Sequence, residues 1–117
     1  MFICIGLMAV MFMSATSPCK PPGKPENVKI VDYGECYCTI GFTAPVSDGG
    51  APITKYIVEK REVRGGRWEY GAENIDYEIK VDNLIPGNEM EFRVSAVNKA
   101  GQGMPSDPTQ PFVVRSR

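Results

Sequence analysis

Turn-forming residues interrupt this sequence about every ten positions, and between the interruptions apolar side chains alternate with polar ones. A period of two turns one face of an extended segment toward a core and the other toward water, and no segment holds a helical period long enough to compete. Val28 and Ile30 alternate in a strand predicted over 26–32, and Cys36, Cys38, Ile40 and Phe42 alternate in the next. Residues 53–61 predict a third strand with Tyr56 and Val58 on one face, Trp68 and Tyr70 mark a short one after the "RGG" loop, and Ile79 with Val81 another. Met90, Phe92, Val94 and Ala96 alternate after the turn "IPGNE", and Phe112 with Val114 closes the count at seven. The expected fold is all-β, a seven-stranded antiparallel β-sandwich.

The densest turn signal is "SDGGAP" at 47–52, set against the third strand. Glycine takes positive φ without steric cost and proline stiffens the exit, so this stretch suits a crossing from one sheet to the other.

Function classes are bounded by the residue inventory. Thirteen Lys and Arg against fourteen Asp and Glu leave a net charge of −1, which offers no basic excess for nucleic acid or an anionic membrane. Lys60, Arg61, Arg64 and Arg67 form a basic cluster, but Glu59, Glu62 and Glu69 interleave with it, so it reads as a solvated face. The chain has no histidine, which removes the usual general base and the commonest metal ligand. Neither "GGAP" nor "RGGR" has phosphate-loop spacing. No catalytic, cofactor-binding or metal-ligating residue, no cofactor and no small-molecule substrate is therefore expected. Of the four cysteines, Cys4, Cys19, Cys36 and Cys38, the last two sit on one face of a strand at a spacing that strains a disulfide, and they read as small buried thiols.

Residues 2–13, "FICIGLMAVMFM", carry no charge, and twelve apolar residues fall short of the roughly 20 that span a bilayer core. Two readings of this leader, residues 1–17, stay open: a secretory signal peptide, or an accident of where the chain begins. The second is favoured because no Lys or Arg precedes the apolar run and because Met13 and Pro18 spoil cuts after Ala15 and Ser17. Residues 18–24 are proline-rich and read as an extended linker, with the sandwich domain over 25–117.

The stretches "PGKPENVKI", "TIGFTAPVSDGGAPITKYIVEKRE", the lone Trp68 and "VDNLIPGNEMEFRVSAVNKAGQGMPSDP" together resemble a fibronectin type III domain, an immunoglobulin-like fold, over about residues 22–117. The wording is similar in particular to the modules of titin, twitchin, projectin and myosin-binding protein C. That resemblance implies a non-enzymatic structural and protein-binding module, a fragment of a filament protein of the muscle sarcomere, cytoplasmic in location. Its implied partners are neighbouring fibronectin or immunoglobulin modules or the myosin filament. The alternative is a small secreted or cell-surface protein acting in adhesion or ligand binding, but the loop at 98–106 lacks Arg-Gly-Asp and no Asn-x-Ser/Thr site occurs. Two positions depart from the family pattern: Phe42 stands where Trp is usual, which should lighten the core, and Met90 stands where a corner Tyr is usual. Exposed candidates for docking are the edge at 60–67 and the loop at 98–106.

Overall fold

The structure is a computed structural model and describes residues 18–116. The apolar leader at 1–17, with Cys4, lies outside the described residues. In chain order the strands are β1 (Glu26–Gly34), β2 (Tyr37–Thr43), β3 (Lys55–Glu62), β4 (Glu69–Asn74), β5 (Glu78–Val81), β6 (Glu89–Asn98), β7 (Gly101–Gln102) and β8 (Phe112–Val113). One antiparallel sheet has the order β1-β2-β5 and the other the order β4-β3-β6-β7, with β8 also pairing β6. This is the antiparallel sandwich that the alternating pattern implies.

The period-two positions face inward as expected. Cys38, Ile40 and Phe42 from β2 and Ile79 and Val81 from β5 meet Tyr56 and Val58 from β3 and Met90, Phe92, Val94 and Ala96 from β6, with Leu84 and Val114 closing the ends. Each such aliphatic or aromatic side chain contributes about 1.5–3 kcal/mol when fully withdrawn from water, so this cluster is what orders the two sheets. The crossing between sheets lies where the glycines suggest. Asp48 Oδ1 accepts the N–H of Gly50 at 2.8 Å, Ser47 Oγ accepts that of Gly49 at 3.1 Å, and Gly49 takes a φ of 79°.

Seven expected strand positions give eight named strands because the last is broken. Pro105, Pro108 and Pro111 recur at every third residue and have no N–H for a ladder. The segment between β7 and β8 still runs along β6 by a substitute pairing. Ser106 and Thr109 donate backbone N–H to Val94 O and Phe92 O, both at 2.8 Å, and their hydroxyls accept the N–H of Val94 at 3.0 Å and of Phe92 at 3.2 Å. Side-chain oxygens thus stand where strand carbonyls would.

The second strand starts one residue later than expected, and Cys36 does not share a strand face with Cys38. Cys36 sits in the turn between β1 and β2 with a φ of 62°, donates its N–H to Arg115 O and accepts from Leu84 N, each at 2.9 Å. The left-handed backbone turns Cys36 out of the alternation, and among the described residues Cys38 alone is a core thiol.

Candidate interaction surfaces

Among the described residues, no group of three or more Cys, Asp or Glu side chains is placed to hold a metal ion. Three features of the surface are nevertheless built rather than incidental.

The first is on the outer face of the sheet containing β3 and β6. Antiparallel register sets Glu59 opposite Arg93 and Arg61 opposite Glu91. Arg93 Nε donates to Glu59 Oε1 and Arg61 Nε to Glu91 Oε2, both at 2.7 Å. Trp68, just ahead of β4, is shared by both guanidinium groups, each centred 4.4 Å from the indole ring centroid. Paired charges directly across strands and cations over an indole face are each favourable, and here the same two arginines make both contacts. The basic cluster is therefore not uniformly solvated: Arg64 and Arg67 are exposed, whereas Arg61 is partly buried and committed to Glu91 and Trp68.

The second is a seat for residues 18–24 at the pole where β2 and β6 end. Lys20 and Gly23 donate backbone N–H to Gly49 O and Ser47 O, each at 2.9 Å. The buried side chain of Asn98 donates through Nδ2 to Lys20 O and Asp48 O, both at 2.7 Å, and accepts through Oδ1 from Ala100 N at 2.8 Å. One amide thereby ties together the proline-rich segment, the β2–β3 loop and the turn before β7. The 98–106 loop, a docking candidate in the sequence, is anchored at both ends by buried Asn98 and Ser106, and between them Lys99, Ala100, Gln102 and Met104 are exposed.

The third lies beside that seat. Phe42 packs against Tyr56 with ring centroids 4.7 Å apart, and Tyr77 stands 6.0 Å from Phe42 and 5.8 Å from Tyr56. Beside Phe42 the half-exposed ring of Tyr77 leans edge-on against the core, a residue the alternating pattern did not single out because it precedes β5. Beyond these rings lies an open cleft of about 620 Å³ lined by Pro45, Val46, Ser47, Ile53, Ile75 and Tyr77, among others. Burial dominates the chemistry of two titratable groups of the core, Cys38 and Tyr56. It pushes the Cys38 thiol up to about 12, and, with the neighbouring Tyr77 hydroxyl adding to it, pushes the Tyr56 phenol up to about 12. Both stay neutral at physiological pH, so neither is a nucleophile there.

A fibronectin type III domain model matches residues 23–112. Over 96 residues the chain is 38% identical to cardiac-type myosin-binding protein C of Gallus gallus, a match covering 79% of this chain and 7% of that protein. It is similar to a crystallised run of titin domains with a TM-score of 0.79 and 32% identity, covering 92% of this chain and 34% of that one. It also matches a single titin module from human cardiac muscle with a TM-score of 0.71 and 36% identity, covering 85% of this chain and 95% of that one.

Proposed function

This chain belongs to the fibronectin type III family, and we propose that it serves as one non-enzymatic spacer and protein-binding module within a longer filament protein of the muscle sarcomere. The chain spans about 7% of the myosin-binding protein C it resembles, as a single module would. The observation that carries the reading is the placement of the two ends. Cys19 and Lys20 are hydrogen-bonded to the loop after β2, while Arg115 is bonded to Cys36 before β2, so the chain arrives at one pole and leaves at the other. Modules of that form string in line, each free to offer its sheet faces to neighbours. Weak contacts repeated along such an array gain from high effective concentration, so no single tight site is needed. Neighbouring fibronectin or immunoglobulin modules and the myosin filament are the proposed partners, in the cytoplasm.

The test is an antibody raised against residues 18–116 and used on muscle of the source animal. The reading expects a polypeptide far larger than 12.9 kDa that decorates the sarcomere in stripes. A small species recovered from the extracellular medium, with none on the filaments, would overturn it in favour of a secreted binding protein.

A further inference from the structure

The edges of the two sheets are not alike. The edge running through β7, the proline segment and β8 is short of N–H donors. Strand β1 is broken by register shifts between Glu26 and Lys29 and between Ile30 and Asp32, and β5 is only four residues long. Strand β4 is six residues long with a single shift, and among the described residues its backbone bonds to β3 alone. Alternate N–H and C=O groups of an edge strand point away from its neighbour, so β4 presents a bonding row to an extended chain that comes alongside.

Around this edge the charge has one sign. Residues 69–78 hold Glu69, Glu73, Asp76 and Glu78, all exposed, and no lysine or arginine, in a chain whose net charge is only −1. Glu73 pairs with Lys55 at 3.2 Å, and the other three have no ion-pair partner among the described residues. Tyr70, Ile75 and Tyr77 are interleaved with these carboxylates and are 59%, 52% and 56% exposed. Aromatic faces attract ammonium and guanidinium groups, and apolar surface accepts the stems that carry them.

We propose that the free edge of β4 accepts, as an added strand, an extended lysine- or arginine-bearing segment of a protein partner. Main-chain pairing along β4 supplies the attachment, and the carboxylates and rings beside it select the side chains. Charge complementarity decides the occupant. A second copy of this strand is disfavoured, because antiparallel pairing of two β4 strands about Gly71 sets Glu69 opposite Glu73, and like charges directly across strands repel. The charges that keep a second copy off are the ones that draw a basic strand in. The proposal gives a partner chemistry to the protein-binding role above and rests on that role but not on the filament, since the edge is present in the isolated module.

The test is an NMR titration of isotope-labelled residues 18–116 with the peptide Lys-Thr-Lys-Val-Lys-Thr-Lys. These residues contain the buried core, and the single titin module with the same fold is a structure on its own. The β4 amides that face water are expected to shift and to gain exchange protection, while those of β1 do not. Two versions of the peptide, N-methylated at its odd or at its even positions, separate strand pairing from charge attraction: one should lose the new protection and the other keep it. Asp76→Lys combined with Glu78→Lys should weaken binding severalfold while the amides of Val58 and Phe92 stay protected, which shows the fold intact. Three results would each overturn the proposal: no binding at about 1 mM peptide, equal binding when Glu replaces every Lys, or shifts near the carboxylates with no new protection in β4. Any of them would leave the filament reading standing, and a failed sarcomere stain would leave the peptide result standing.

Discussion

The Arg93 guanidinium lies 4.4 Å from the centroid of the Trp68 ring. Arg61 approaches the same ring at the same distance, so Trp68 stands to lose two cation contacts as well as its own partial burial. Trp68→Ala should destabilise the domain by about 2–3 kcal/mol, and Trp68→Phe by less, because a phenyl face attracts cations more weakly than indole. Urea midpoints for the two variants check this; equal costs would show that the loss is packing alone.

Alkaline pH should weaken the fold in two stages. Cys38 and Tyr56 both hold their protons more tightly folded than unfolded, so the stability they contribute is whole below the unfolded pKa and is lost as pH rises toward the folded one. For Cys38 that window runs from 9.0 to about 12, and for Tyr56 from 10.0 to about 12. The expected slope is about 1.4 kcal/mol per pH unit for each group while it is in its window. Denaturant titrations from pH 7 to 11 should show a steepening near 10, and Cys38→Ala should leave stability flat up to that point.

Met90, the second residue of β6, is buried at the corner but offers no hydroxyl. Beside it lies an open recess of about 150 Å³, lined also by Asn83, Leu84, Ile85 and Asn88. Met90→Tyr should raise stability by up to about 1 kcal/mol as the phenol gains a backbone acceptor. A lower guanidinium midpoint would mean that the corner is rebuilt around the thioether.

Ser95 is fully buried on the outer side of β6, opposite Ile57, and its hydroxyl has no hydrogen-bond partner. Withdrawing a hydroxyl from water without a partner costs about 1–3 kcal/mol, so removing it should help. Ser95→Ala is expected to raise the melting temperature. A fall would reveal a partner for the hydroxyl in solution.

What the sequence disclosed follows from the range of each signal. Alternation is local, so β2, β3 and β6 and the inward positions of the core were readable from neighbours two residues apart. The crossing at Gly49 was readable for the same reason. Asn98 was not, because its acceptors Lys20 and Asp48 lie 78 and 50 residues away, and a polar residue beside a turn looks the same with or without them. Trp68 marked a strand but not its purpose, since its two arginines come from different strands. Cys36 was misplaced because an alternating residue that turns left-handed leaves no trace in the pattern, and the fourfold run from Cys36 to Phe42 hid the start of the turn. Tyr77 lay between recognisable elements, and only the shortfall at Phe42 hinted that another ring was needed.

The prolines beside β6 bear on what happens when such domains are crowded together. Tethered neighbours face one another at effective concentrations on the order of millimolar, and an open sheet edge with free N–H groups is a template onto which a neighbour's unfolding strand can pair. Pro105, Pro108 and Pro111 remove one donor in three from this edge, and the amides of Ser106 and Thr109 are already spent on Val94 and Phe92. A strand arriving at this edge finds few free N–H donors to pair with. The break that costs this sandwich a continuous last strand thus also makes this one edge a poor template for a neighbour of its own kind.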